Sequence, residues 1–248
     1  MPLFRVDANP RRVAYGTTIG ILLLNTRFPM IPGDVGNAST YPFPILYRVI
    51  DSLPTDFWAS DSAASRAPDV VEAARALQNA GVAAITSDCG YMAMYQKDVQ
   101  AALSTPVFLS SLLQVPFIQR VLPEGRRVGV MVADSRRMTE RILRNVGIDE
   151  PASLAIAGME GQRAFWSAII EENKVLDSDA IEREAVAVAK ELVSRNPDIG
   201  ALLLECSNLP PYAAAIQGAV QLPVFDFNTM IRFVHSALTQ ARYAGTYR

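Results

Sequence analysis

Gly81-Val-Ala-Ala-Ile-Thr-Ser-Asp-Cys89-Gly-Tyr91 and Ile199-Gly-Ala-Leu-Leu-Leu-Glu-Cys206-Ser-Asn-Leu209 decide the reading of this chain. Aligned on their cysteines, both run from a short apolar stretch into an acidic residue, a thiol and small polar residues. Apolar runs of this length without polar alternation are the pattern of strands buried on both faces, as in parallel sheets covered by helices. A second pair echoes the first: Gly20-Ile-Leu-Leu-Leu-Asn25-Thr26 and Val128-Gly-Val-Met-Val-Ala-Asp134-Ser135 are again strands that run out into polar residues. The repetition predicts an α/β chain built from two similar halves, each with buried parallel strands covered by helices.

Outward from these stretches, strands are expected at 18–24, 82–86, 106–108, 128–132, 153–156, 200–204 and 224–225. A helix over 70–80 should end at Gly81, and a longer one over 179–196 should be capped by Asp179 and stop before Pro197. Leu122-Pro-Glu-Gly125 marks the divide. The first lobe is read as 1–122 plus 223–248, carrying Cys89, and the second as 123–222, carrying Cys206. Tyr41-Pro-Phe-Pro-Ile-Leu-Tyr47 is too rich in proline for a helix and reads as a pocket wall or a subunit contact.

Strand ends in parallel α/β sheets are where ligands bind, and a helix N-terminus there offers N–H groups that can stabilise a thiolate or hold a carboxylate. Both cysteines fall at such ends, so facing halves would set two thiols on opposite sides of one cleft. That suits removal of a proton from one face of a carbon and its return to the other. Gly90, Tyr91, Ser207 and Asn208 follow the cysteines and are the candidate donors to the substrate and its enediolate. Asn25 and Thr26 end the first strand, where the polar pair fits a turn capped by Asn25 as well as it fits a site contact. Asp134 reads as a substrate ligand or a helix cap; Asp88 and Glu205 could orient or deprotonate a thiol, but capping fits better, since neighbours of an inward-facing cysteine point the other way. Pro32-Gly-Asp-Val-Gly-Asn37 is a turn-rich loop that fits a lid or plain surface.

Composition removes most alternatives. The chain has 248 residues, 50% apolar, with 23 basic and 25 acidic side chains and net charge −2. That balance carries no footprint for nucleic acid, and pairs such as Arg11-Arg12, Arg126-Arg127 and Arg136-Arg137 read as solvated surface. His235 is the only histidine, which excludes a multi-histidine zinc site, and it reads as a partly buried structural residue. Lys97, Lys174 and Lys190 are the only lysines, and Lys174 and Lys190 lie in polar surroundings unsuited to anchoring pyridoxal phosphate. No metal and no cofactor are expected. Residues 1–18 show no signal-peptide pattern, and no apolar run nears the ~18 residues of a membrane span. A cytoplasmic protein with free thiols, no membrane partner and room for a homo-oligomer is the expectation.

Thr86-Ser-Asp-Cys89-Gly-Tyr91 together with Leu204-Glu-Cys206-Ser-Asn-Leu-Pro-Pro-Tyr212 resembles the paired cysteine motifs of the aspartate/glutamate racemase superfamily. Pro32-Gly-Asp34, Ser87-Asp-Cys89-Gly90, Pro106-Val-Phe-Leu-Ser-Ser111, Asn196-Pro-Asp-Ile199 and Pro223-Val-Phe-Asp226 are most similar to the algal dimethylsulfoniopropionate lyases. The resemblance implies two pseudo-symmetric Rossmann-like halves, each a parallel sheet flanked by helices, with the active site in the cleft between them. It also implies substrate contacts at Asn25 and Thr26, and a cofactor-independent mechanism on a small carboxylic acid with Cys89 and Cys206 as the acid and base. Glutamate racemases commonly carry Thr-His after the second cysteine, where Ser207-Asn208 stand here. Arylmalonate decarboxylases keep one of the two cysteines, whereas this chain has both. A racemase or epimerase of an amino acid or derivative is the leading expectation. A lyase expelling a β-leaving group is the alternative, a maleate isomerase is a further two-thiol possibility, and a non-catalytic acid sensor is a third class.

Overall fold

The two halves expected from the repeated stretches are two parallel sheets, seen in a computed structural model that describes residues 15–60 and 62–246. In the first, β1 (Ile19–Leu24) is the central strand between β2 (Ile45–Ile50) and β3 (Ala84–Ser87). In the second, β4 (Arg127–Val132) lies between β5 (Leu154–Gly158) and β6 (Ile199–Leu204), and β7 (Val224–Phe225) adds to the far side of β6. Every pairing is parallel: Ile19 sits opposite both Ile45 and Ala84, as Val128 sits opposite both Leu154 and Ala201. The two cysteine-bearing strands, β3 and β6, therefore hold the same place beside their central strands.

The helices are α1 (Ala67–Ala80), α2 (Gln96–Ala102), α3 (Val115–Val121), α4 (Glu140–Asn145), α5 (Arg163–Phe165), α6 (Ser178–Arg195), α7 (Ala213–Val220) and α8 (Phe227–Leu238). α5 runs directly into a π-helical turn at Trp166–Ile170. α1 ends as expected on Gly81, whose φ of 88° is left-handed and free of strain only without a Cβ. The cap of α6 is Asp177, not Asp179: its side chain accepts from the Ala180 N–H at 3.0 Å. Asp179 instead lies inside the first turn, where its charge favours the positive end of the helix.

β2 was not foreseen. Its sequence follows Pro42 and Pro44, and Arg48 and Val49 face solvent, so it lacks the continuous apolar run of a central strand. An edge strand tolerates both features. The stretch at 106–108 forms a single bridge, Val107 to Ile85, rather than a strand. Tyr41 and Tyr47 both donate to the Val35 carbonyl, and Phe43 stacks on His235 with ring centroids 3.5 Å apart, so this segment packs within the first half. The stacking gives His235 the structural role read from its position.

Two of the arginine pairs are more than solvated surface. Arg127 forms a bidentate pair with Asp198, with contacts of 2.6 and 3.0 Å, and Arg136 another with Asp134, at 2.7 and 2.8 Å. The Arg11-Arg12 pair lies outside the described residues. β7 extends the second sheet, whereas Phe227, Met230 and Ile231 of α8 pack against Ile19, Ile21, Ala84 and Phe108 of the first half. Asp226, whose side chain accepts from the Thr229 N–H at 2.7 Å in a reciprocal capping box, is the residue between those two environments.

Candidate active site

β3 and β6 deliver Cys89 and Cys206 to one small cavity, and the residues that follow each strand hold the thiols in the same way. Cys89 leaves β3 in extended conformation and caps the 3-10 helix Gly90–Tyr95, which leads into α2. Cys206 precedes Pro210–Tyr212, a 3-10 turn leading into α7. The main-chain N–H two residues on, of Tyr91 for Cys89 and of Asn208 for Cys206, acts on each thiol in the sense that favours the thiolate. The repeat seen in sequence is thus a repeat of thiol environment.

Helix N-termini were expected to favour the thiolates. Burial prevails instead, pushing both thiols well above the ordinary cysteine range, with Glu205 the largest charge acting on each in the same direction. One backbone N–H per sulfur offsets only part of this.

Side chains from both halves interlock around the cavity. The Tyr91 hydroxyl donates to the Asp134 carbonyl at 2.6 Å and accepts from the Asp134 N–H at 2.9 Å. The Ser207 hydroxyl donates to the Asp88 carbonyl. Asn208 donates to Asp34 Oδ2 at 2.7 Å, and its own carbonyl oxygen lies 3.6 Å from the Cys206 sulfur. A line of contacts therefore runs from Asp34 in the turn-rich loop, through Asn208, to one of the two thiols.

Among the residues named from sequence, Cys89, Gly90, Tyr91, Cys206, Ser207, Asn208 and Thr26 line the cavity together. Asn25 turns away, its amide donating to the Asp51 carbonyl at 3.2 Å. Asp134 does not reach the cavity with its carboxylate, which caps Ser135–Arg137 and pairs with Arg136. That pairing holds Asp134 below the ordinary carboxylate range. Asp88 and Glu205 are not helix caps. Asp88 accepts from the Leu24 N–H at 3.0 Å, tying the ends of β1 and β3 together. Glu205 is fully buried, and neither carboxyl oxygen has a partner. Burial raises it to about 8.

Sequence reasoning missed the apolar wall. Phe28, Trp58, Ile169 and Ile170 close one side of the cavity, with the Trp58 ring 5.1 Å from that of Tyr91. Thr55, also in the lining, donates to Glu172, which itself holds a left-handed φ of 52°. These residues lie on turns far apart in sequence, and no local pattern marks them. The cavity measures about 30 Å³ and is lined by no lysine, arginine or histidine. No grouping of three or more potential metal ligands occurs among the described residues.

Residues 48–231 match the family model described as Asp/Glu/Hydantoin racemase. The chain is similar to a dimethylsulfoniopropionate lyase of Durusdinium sp. clade D, with 27% identity over 217 residues that cover 84% of this chain and 71% of that one. It is 30% identical over 227 residues to dimethylsulfoniopropionate lyase 3 of Emiliania huxleyi (strain CCMP1516), covering 86% of this chain and only 58% of that relative's length. The fold is that of glutamate racemase RacE1 from Bacillus anthracis, with a TM-score of 0.59, 16% identity, and coverage of 90% of this chain and 82% of that one.

Proposed function

Because the chain belongs to the Asp/Glu/Hydantoin racemase family, we propose that it is a cofactor-independent enzyme that abstracts the proton α to the carboxylate of a small acid, using Cys89 and Cys206. The observation that carries this reading is the matched pair of thiols, each just past a strand end and followed by a 3-10 turn, and both lining one cavity.

One cysteine, as thiolate, takes the α-proton, and the electron pair of the C–H bond passes into the carboxylate to give an enediolate. The other thiol gives its proton to the opposite face, so the two sulfurs exchange roles with each inversion. With no cationic side chain in the lining, the charge of the enediolate falls to main-chain N–H groups of the cysteine loops, for which Gly90 and Ser207 are the assigned donors. The side chains of Tyr91, Ser207 and Asn208 are spent on holding these loops in register. Racemisation or epimerisation is the outcome that two opposed thiols serve best.

Elimination is the second reading, favoured by the similarity to lyases at 27% and 30% identity. There the same electron pair expels a β-leaving group and an alkenoate results. Incubation with a panel of small carboxylic acids in deuterated water, followed by proton NMR, separates the outcomes. Racemisation places deuterium at a retained stereocentre; elimination produces vinylic signals. Turnover that survives replacement of both cysteines by alanine refutes the proposal. No helix among the described residues is long and apolar enough to cross a membrane, and the reading needs no partner beyond the acid.

A further inference from the structure

We infer that a second pocket, on the other side of Trp58 from the thiols, is a capture site for the carboxylate of the substrate, with Arg141 as its cation and the Trp58 indole as the gate between the two spaces. The inference rests on the reading of a small acid turned over between Cys89 and Cys206, and it assigns where that acid is first held.

The thiol cavity lacks space and it lacks charge. At about 30 Å³ it has room for roughly one or two water molecules, so no carboxylic acid enters until the wall moves. It also presents no lysine, arginine or histidine to draw an anion in, while Asp88 and Glu205 stand in its lining. A second pocket, of about 180 Å³, adjoins it and offers both. Ser60 and Tyr95 of the first half meet Thr139 and Arg141 of the second there, so this pocket too lies where the halves face each other. Arg141 takes part in no ion pair among the described residues, not even with Asp98, the acid of the same lining. An unpaired guanidinium presents a fork of donors that matches a carboxylate.

Trp58 is the one residue common to both linings. It sits in the 3-10 turn Phe57–Ala59, and its neighbour Phe57 anchors that turn, buried with its ring 6.0 Å from that of Tyr95. Trp58 itself is half-buried. Its ring meets Tyr91 at 5.1 Å and the Arg137 guanidinium at 5.8 Å, and no hydrogen bond of its indole N–H occurs among the described residues. A change of rotamer therefore moves the indole while Phe57 keeps the turn in place. Arg137 brings a second positive charge to the gate, and its carboxylate neighbour, Asp134 at 4.0 Å, is already held bidentately by Arg136. The acid docks its carboxylate on Arg141, Trp58 turns aside, and the acid passes to the thiols, where main-chain N–H groups take over its charge. Return of the indole then shuts water out of the cavity.

Iodoacetate and iodoacetamide test both parts, because they alkylate thiols in the same way and are close in size, but only iodoacetate carries a carboxylate. Labelling of Cys89 and Cys206 is followed by peptide mass at one fixed alkaline pH and low salt. Trp58→Ala should be labelled several-fold faster than the wild type by both reagents, and Trp58→Phe, with its smaller ring, serves if the alanine variant does not fold. Arg141→Gln should lose about tenfold in iodoacetate rate, the lower end of electrostatic enhancement of encounter, with its iodoacetamide rate unchanged. Arg144→Gln, which removes a charge from the same helix outside the pocket, should leave both rates as they are. Wild-type labelling rates in the folded Trp58 variants overturn the gate, and an unaltered ratio of the two rates in Arg141→Gln overturns the capture site. Variants that label as expected in a protein that exchanges no α-proton of any tested acid would keep the capture site and refute the proposed reaction instead.

Discussion

Replacing Glu205 with glutamine should change how stability depends on pH. The folded protein holds this carboxyl at about 8 against an unfolded value of 4.5, through burial alone. At roughly 1.4 kcal/mol for each tenfold step in ionisation, the folded state disfavours the ionised form by about 5 kcal/mol. The sign follows from linkage: a raised value means that the folded chain binds the proton more tightly, so the contribution is complete below 4.5 and is lost as pH rises through about 8. Urea unfolding of wild type and Glu205→Gln between about pH 4 and pH 9 measures it. Asp34 and Asp88 are also raised by burial and slope the same way, but they are common to both proteins and cancel in the difference. The glutamine variant should gain on the wild type steadily across that interval, toward a ceiling near ~5 kcal/mol. Parallel curves would mean that Glu205 is hydrated or paired in solution, and the reasoning from its buried, unpartnered oxygens would fall.

Cys89→Ser and Cys206→Ser should each lower α-proton exchange by roughly 10³-fold, within the range for loss of a positioned acid or base, as read by NMR in deuterated water. Gly90→Ala drives a methyl group to 2.1 Å from Glu205 Oε1 and 2.4 Å from its main-chain oxygen, and should destabilise by at least ~3 kcal/mol in urea unfolding, the upper end of ordinary overpacking. Tyr91→Phe leaves both the N–H and the carbonyl of Asp134 without their hydroxyl partner; a loss of about 1–3 kcal/mol with the secondary structure unchanged by circular dichroism is expected. Asp34, raised to about 6 from 3.8, lends stability that is lost as pH rises through 6, so Asp34→Asn should flatten that part of the unfolding profile.

The repeated cysteine stretches were legible because a strand buried on both faces writes itself as an uninterrupted apolar run, and because the residues at its end are local. Cys89, Gly90, Tyr91, Cys206, Ser207 and Asn208 all belong to such ends and meet in the cavity. β2 was hidden by its place at an edge, where Arg48 and Val49 break the pattern. Glu205 was misread for a different reason. Strand alternation argues that neighbours of an inward cysteine point away, yet the chain leaves β6 at Leu204, and alternation ceases to hold at the residue that matters. Asp134 shows the converse: its type and position fit a ligand, but Arg136, two residues on, takes the carboxylate. Trp58, Thr55 and Ile169 come together only through tertiary packing, which no spacing encodes.

α8 carries a consequence for biosynthesis. Ile19 and Ile21 of the first strand are covered by Phe227, Met230 and Ile231, so residues translated early wait for residues translated more than 200 positions later. On the ribosome the second half can complete its sheet with β7 while the first still exposes an aliphatic face. The half made first is the half that finishes last.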